Sequence, residues 1–256
     1  MKTKESCWFK FIVLVLIGWF SCPSLAVING VTIDEGEFPS VVCLYNEKTG
    51  EICTGTFVTE TQVLTAAHCI GGEQNEKGEV DVELSIVEFS DIETGKYFVF
   101  GRSKKATRHP HWVRRSGSNS WDIGLVEFDK GVSEGVSKVM TQQFANRGNK
   151  VELVGYGTDQ IDALSILKRA GVKRWGANVI SGLSRRKGYI YIDSSSLGLN
   201  SIGRDALGNF GDSGGPVFVE GSVVGVWSRT TDDYEGIAID LSSQSSKSFL
   251  NEHLKR

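Results

Sequence analysis

Short apolar runs rich in β-branched residues, broken by Gly, Asn, Asp and Ser, dominate the chain after residue 27. Runs of this length and composition are typical of β-strands bounded by turns. None alternates regularly with an amphipathic helix, which disfavours a parallel α/β sheet. The predicted strands are Val41–Tyr45, Thr56–Thr59, Val63–Ala67, Val82–Glu88, Ile123–Phe128, Val151–Tyr156, Tyr189–Ile192, Pro216–Val219 and Val223–Ser228.

A helical pattern occurs at the C-terminal end, where Phe249, Leu250 and Leu254 share one face after a Ser-rich stretch. The polar, turn-rich stretch 130–149 predicts a boundary between two halves of the chain. The pattern therefore predicts an all-β chain in two halves with a terminal helix.

The first 26 residues have a different character. Three lysines precede an apolar run at 11–20, and Ser24 and Ala26 have the small-residue spacing of a cleavage site. This predicts a signal peptide at 1–26 and a secreted or periplasmic protein. A retained membrane anchor is the weaker alternative, because ten apolar residues cover only about half of a bilayer core. A lipid-bearing Cys22 fits poorly, because bulky aromatic residues precede it.

Without the signal segment the chain carries 25 basic and 30 acidic residues, a balance that indicates no nucleic-acid partner. The remaining cysteines are Cys43, Cys53 and Cys69. Outside the cytoplasm we expect one disulfide and one free thiol. Cys43 lies in an apolar run and is predicted to be a small buried side chain.

The strongest chemical signal is the sequence GDSGGP at 211–216. Glycines around a serine allow unusual backbone conformations and bring two N–H groups beside the hydroxyl, which can stabilise an oxyanion. A glycine-rich hairpin turn is the alternative, but a turn needs neither this length nor this order. A nucleophilic Ser213 would need a base and an orienting carboxylate from elsewhere in the chain.

His68 is the best candidate base, because it ends an apolar strand whose small residues leave room for a substrate. His109 and His111 have the pattern of a solvated loop and give only a weak metal signal. His253 lies near the C-terminus, where chains fray. Asp122 begins an apolar strand, where a carboxylate can be partly buried if an imidazole donates to it.

With five motifs in the family's order, the sequence resembles the trypsin-like (chymotrypsin-fold) serine peptidases. The resemblance implies two six-stranded antiparallel β-barrels, 27–140 and 141–256, with the active site between them and a C-terminal helix. It also implies a triad of His68, Asp122 and Ser213, an oxyanion hole from the N–H groups of Gly211 and Ser213, and a Cys53–Cys69 disulfide. The motifs are VING at 27–30, LTAAHC at 64–69, WDIGLV at 121–126, GYG at 155–157 and GDSGGP at 211–216.

The resemblance places the primary substrate pocket at Leu207, Ser228, Thr230 and Gly236. Trypsin-type relatives have an aspartate where this chain has Leu207, and a buried leucine cannot pair with a cation. We therefore expect apolar rather than Arg or Lys specificity. Asp205 could supply a charge if the loop 201–210, in which it lies, folded differently.

The resemblance also implies an activation pair. In the family a new N-terminal ammonium folds inward and pairs with the aspartate before the nucleophile, which here means Val27 and Asp212. Cleavage after Ala26 would expose Val27 directly, so signal removal itself would activate the protein. The alternative is cleavage elsewhere, such as before Cys22, which would leave a precursor that needs trimming.

Two other function classes are open at this point. The spacing of Gly211, Ser213 and Gly215 also fits the nucleophile elbow of α/β-hydrolase esterases, but that fold needs an acid and a histidine after the serine, and only His253 follows. A non-catalytic binding protein on a peptidase scaffold would typically lack a triad member. We expect a monomeric enzyme with a protein or peptide substrate, no cofactor, no metal and no stable membrane insertion.

Overall fold

The computed structural model describes residues 27–113, 121–158, 170–194 and 204–255. The predicted signal peptide at 1–26 lies outside these residues. Within the described part of the chain, no helix has both the length and the apolar character needed to cross a membrane.

The described residues contain sixteen strands, one α-helix and a 3₁₀ helix at Ala67–Cys69, which carries His68. The strands and the α-helix are β1 (Val31–Thr32), β2 (Val41–Asn46), β3 (Glu51–Phe57), β4 (Gln62–Thr65), β5 (Glu79–Val80), β6 (Ser85–Asp91), β7 (Lys96–Arg102), β8 (Lys105–Arg108), β9 (Gly124–Glu127), β10 (Lys150–Gly155), β11 (Arg174–Val179), β12 (Gly182–Ser184), β13 (Tyr189–Asp193), β14 (Pro216–Val219), β15 (Ser222–Thr230), β16 (Glu235–Asp240) and α1 (Gln244–His253).

The strands form two antiparallel sheets, as the all-β prediction requires. One runs in the order β5-β8-β9-β4-β3-β2-β6-β7 and the other in the order β1-β11-β10-β14-β15-β16-β13-β12. Each sheet has eight strands rather than the six that the resemblance implies. Three of the four edge strands, β1, β5 and β12, have only two or three residues.

The predicted division of the chain at 140 and 141 stays a prediction. Most of the first half forms the first sheet, but β1 pairs with β11 in the second. This pairing holds the residues after Val27 against the second sheet, close to the loop that carries Ser213.

A shared apolar core lies between the two sheets. Cys43 and Leu64 from the first sheet pack there with Val154 and Phe218 from the second, and Phe249 of α1 covers the same cluster. Cys43 is buried and free, as the sequence predicted, and burial raises the pKa of its thiol. Residues at the junction of the sheets are therefore held by packing from both sides.

Helix α1 begins at Gln244, inside the Ser-rich stretch 242–248, whereas the sequence pattern predicts it after that stretch. The side chain of Ser243 caps the helix by accepting a hydrogen bond from the Ser246 N–H. Phe249 and Leu250 are buried, so the predicted apolar face is the one that meets the core.

Candidate active site

The pairing of β4 with β9 brings His68 and Asp122 together. Thr65 at the end of β4 is opposite Gly124 at the start of β9, so the residues just beyond them are neighbours. The His68 N–H donates to Asp122 Oδ1 at 2.9 Å, and His68 Nδ1 lies 2.8 Å from Asp122 Oδ2. Two contacts to one carboxylate fix both the backbone and the ring of the histidine.

Asp122 is fully buried, and Ser228 Oγ donates a further hydrogen bond to Asp122 Oδ2 at 2.6 Å. Burial works against the carboxylate charge, but the hydrogen bond and charge of His68, with the Ser228 hydroxyl, hold the pKa of Asp122 below its ordinary value. The site therefore retains an anion beside the imidazole.

The imidazole of His68 is accessible on its other side, since 35% of its side chain is exposed. Desolvation opposes its protonation, but the hydrogen bond and negative charge of Asp122 outweigh this and raise the pKa of His68 above its ordinary value. Such a histidine is a stronger proton acceptor than a free one and can still reach a bound molecule.

The loop around Ser213 depends on glycines in the left-handed region. Gly211 has φ +95°, and a Cβ there would lie 2.7 Å from the Cα of Gly157. Gly214 has φ +83°, and a Cβ there would lie 2.4 Å from the carbonyl oxygen of Thr54. No other residue type fits this path of the backbone.

Two hydrogen bonds fasten this loop to the first sheet. The Thr54 N–H donates to the Ser213 carbonyl at 2.8 Å, and Thr54 Oγ1 donates to the Gly211 carbonyl at 2.8 Å. Among the hydrogen bonds of the described residues, neither the Gly211 N–H nor the Ser213 N–H is a donor. The oxyanion hole at these two N–H groups stays a prediction.

Val27 and Asp212 lie together, as the activation pair requires. Asp212 Oδ1 accepts from the Gly157 N–H and Oδ2 from the Asn209 N–H, both at 2.8 Å, and Val27 donates a further backbone hydrogen bond. Both members of the pair are buried. In this continuous chain burial raises the pKa of Asp212 to about 7, and its backbone hydrogen bonds and the Arg174 charge only partly oppose this.

Three of the residues predicted for the substrate pocket, Leu207, Thr230 and Gly236, lie close to one another, whereas the side chain of Ser228 has another partner. Leu207 is buried, and a Cβ on Gly236 would lie 2.8 Å from its Cδ1. Thr230 is opposite Gly236 across β15 and β16. The Ser228 hydroxyl is directed to Asp122 instead, so its side chain supports the buried carboxylate, a role that the sequence pattern did not indicate. Asp205 has its carboxylate 3.2 Å from Ser194 Oγ.

The Cys53–Cys69 disulfide is present and borders the same space as His68 and Ser213. These residues line a cavity of about 340 Å³, together with Gly211 and the exposed ring of Phe210. His68, Gly211 and Ser213 therefore border one common space.

The esterase alternative is not supported by this arrangement. An α/β-hydrolase needs a helix directly after its nucleophile, but β14 follows Ser213 here and the sheets are antiparallel.

Comparison with known proteins gives a consistent set of similarities. A family model described as Trypsin matches residues 27–246. Trypsin 5G1 of Aedes aegypti is 24% identical over 212 residues, which cover 78% of this chain and 73% of that protein. Mast cell protease 3 of Ovis aries is 27% identical over 187 residues, 71% of this chain and 70% of that protein.

Two solved structures share the fold at low sequence identity. Human heparin binding protein matches with a TM-score of 0.63 and 15% identity, covering 89% of this chain and 96% of that chain. A Glu endopeptidase in complex with MPD matches with a TM-score of 0.61 and 13% identity, covering 87% of this chain and 95% of that chain.

Proposed function

Because the chain belongs to the trypsin family, we propose that this serine peptidase homologue is a secreted endopeptidase that hydrolyses proteins or peptides through an acyl-enzyme. The observation that carries the proposal is the pair of contacts from His68 to the buried Asp122, on the wall of the cavity that Ser213 also borders. A binding protein on this scaffold would have no need for a carboxylate held in that position.

In the proposed reaction Ser213 Oγ attacks the substrate carbonyl carbon while His68 accepts the hydroxyl proton. Asp122 keeps the imidazole in the tautomer that presents Nε2 to the serine, and its charge stabilises the imidazolium. The N–H groups of Gly211 and Ser213 donate to the carbonyl oxygen as it becomes negative. The contacts described above support the roles of His68 and Asp122, because they fix the imidazole ring and the carboxylate relative to each other.

The second half of the reaction uses the same groups. His68 gives its proton to the leaving amine, which breaks the peptide bond and leaves an ester on Ser213. Water then gives a proton to His68 as it attacks the ester, and the resulting oxyanion is held in the same position. When this intermediate collapses, the bond between Ser213 Oγ and the acyl carbon breaks, His68 returns the proton to Ser213 Oγ, and the carboxylic acid product leaves. The raised pKa of His68 suits both directions of proton transfer.

Export and activation belong to the same proposal. The family match begins at Val27, the residue that cleavage after Ala26 would expose. Val27 already donates to Asp212 as an amide, so a free terminus there would place an ammonium beside a buried carboxylate. That ion pair would hold the loop that carries Gly211 and Ser213 in its active form. The processed enzyme acts as a monomer outside the cytoplasm.

The proposal is tested with the processed protein, a fluorophosphonate probe and a casein substrate. We expect labelling at Ser213, and we expect Ser213→Ala and His68→Ala each to reduce casein hydrolysis by about 10⁴-fold or more. Ser248→Ala, which removes an exposed helix hydroxyl, is the matched control and should leave the rate unchanged. A folded protein that begins at Val27 and never labels would instead be a binding protein.

A further inference from the structure

The indole of Trp227 lies between Gly236, which belongs to the predicted substrate pocket, and Gly208, the residue after Leu207. A Cβ on Gly208 would lie 2.4 Å from the indole Nε1 and Cε2, and a Cβ on Gly236 would lie 2.2 Å from Cη2. The ring therefore extends from one wall to the other. Leu207, at the predicted base of the pocket, belongs to the same buried cluster.

The backbone fixes Trp227 in this position. Its N–H donates to the Gly215 carbonyl at 2.8 Å, and its carbonyl accepts from the Gly214 N–H at 2.8 Å. The backbone of Trp227 is therefore hydrogen-bonded to Gly214 and Gly215, the two residues that directly follow Ser213. Its side chain is only 2% exposed, so the indole points inward from the nucleophile loop and not out to solvent.

A hydrogen bond joins the two segments beside the Trp227 indole. Thr230 Oγ1, on β15, donates to the carbonyl of Gly208, on the segment that leads to the nucleophile. Beside the indole there is a cavity of about 10 Å³, lined also by Val27 and Gly208, which is close to the smallest space that holds one water molecule. The larger cavity that borders Ser213 lies on the disulfide side of the site.

We propose that Trp227 is the specificity-determining residue of this enzyme: its indole occupies the space where the side chain of the residue that supplies the scissile carbonyl would bind. The inference rests on the proposed peptidase function and narrows its substrate class. The chain accepts Gly or Ala before the scissile bond and rejects Leu, Phe, Arg and Lys, because no volume remains for a larger side chain. The two glycines make room for the indole rather than for a substrate.

The test compares peptide substrates that differ only in the residue before the scissile bond. For the processed protein we expect kcat/KM with Ala to exceed that with Phe by about 100-fold or more. In Trp227→Ala the ratio of Phe to Ala should rise by a similar factor, because the vacated space admits a benzyl group. Trp175→Phe is the matched control. The half-buried Trp175 donates its indole N–H to Glu152, and neither residue is among those that line the cavities beside Trp227 and Ser213, so the ratio should stay unchanged.

Fluorophosphonate labelling of Ser213 in each protein separates the two proposals. Absence of labelling in the processed protein contradicts the peptidase function. If that protein labels and cleaves after Phe as fast as after Ala, only the role of Trp227 is overturned. An unchanged ratio in a labelled, folded Trp227→Ala would overturn it as well.

A second measurement needs no variant, so it tests the proposed role of Trp227 even if Trp227→Ala does not fold. Peptide boronic acids add to the Ser213 oxygen and hold their terminal side chain where the carbonyl residue of a substrate binds. We expect the alanine analogue to inhibit the processed protein about 100-fold more tightly than the phenylalanine analogue. Equal inhibition by the two would contradict the proposal.

Discussion

Asp212 allows the activation step to be tested as a change in stability. We compare a chain that begins at Val27 with one that begins at Ala26, both carrying Ser213→Ala so that neither digests itself. In the longer chain the group next to Asp212 is a neutral amide N–H, as in the continuous chain described above. In the shorter chain it is an ammonium.

The magnitude follows from the pKa of Asp212. Burial raises it from 3.8 to about 7 in the continuous chain, which corresponds to about 4 kcal/mol against folding with the carboxylate ionised. The folded state binds the Asp212 proton more tightly than the unfolded state. The contribution of this proton to the free energy of unfolding is therefore fully present below pH 3.8 and is lost as the pH rises through 7. About 3 kcal/mol of this contribution is lost between pH 5 and pH 8.

The chain that begins at Val27 should not show this loss, because the ammonium favours the ionised carboxylate and lowers its pKa. Urea unfolding of both forms from pH 5 to pH 8 measures the difference. We expect the longer chain to lose about 3 kcal/mol more than the shorter one, or about 6 to 12 °C in melting temperature.

Asp212→Asn in the longer chain is the control, since it removes the titrating group and should remove its pH dependence. Equal loss of stability in the two unmodified forms would refute the reasoning. So would an undiminished pH dependence in the asparagine variant.

Three further predictions concern the triad and the bridge beside it. The acid limb of kcat/KM should lie above pH 6.5, because the pKa of His68 is raised, and Asp122→Asn should move that limb to lower pH; a limb below pH 6 would contradict this. Ser228→Ala should cost about 2 kcal/mol in urea unfolding by removing a hydroxyl bond to a buried carboxylate, whereas Ser228→Thr, which keeps the hydroxyl, should cost less. Replacing Cys53 and Cys69 by Ala should cost about 3 kcal/mol, because the bond closes a loop of 16 residues; a loss below about 1 kcal/mol would show that the unfolded chain is already restricted.

Local pattern was sufficient for the elements whose own residues specify them. Strands β2, β10, β13 and β14 lie within a residue or so of their predicted positions, and α1 begins after its serine cap. Alternative pairings would expose the buried faces of such runs, so hydrophobic burial and strand geometry demand the same structure.

The pattern of apolar and polar residues did not predict strands β7 and β11. Strand β7 is largely exposed, with Phe98 and Phe100 on the surface, and β11 carries Gly176 within a mixed polar run. Strand β7 is extended because it forms a hairpin with β6, and β11 is extended because it pairs with β10. Such strands follow from pairing with a partner strand and not from their own pattern of buried positions.

The motif residues at the site were identified from the sequence because each chemical role restricts the residue type. Gly211 and Gly214 need positive φ, a nucleophile needs a hydroxyl, and the base and its partner must be a histidine and an acid. The family order then assigned the positions, and the contact between His68 and Asp122 agrees with that assignment.

Only the tertiary structure decided where Ser228 and Trp227 act. They are neighbours at a register shift in β15, and there the hydroxyl of one meets Asp122 while the indole of the other enters the space beside Leu207. A strand pattern tells which faces are buried, but not what a buried side chain will touch on a segment far away in the chain. The sequence by itself therefore determined the fold class and the residue types that meet at the candidate site, whereas long-range packing determined which side chains fill the space beside Leu207.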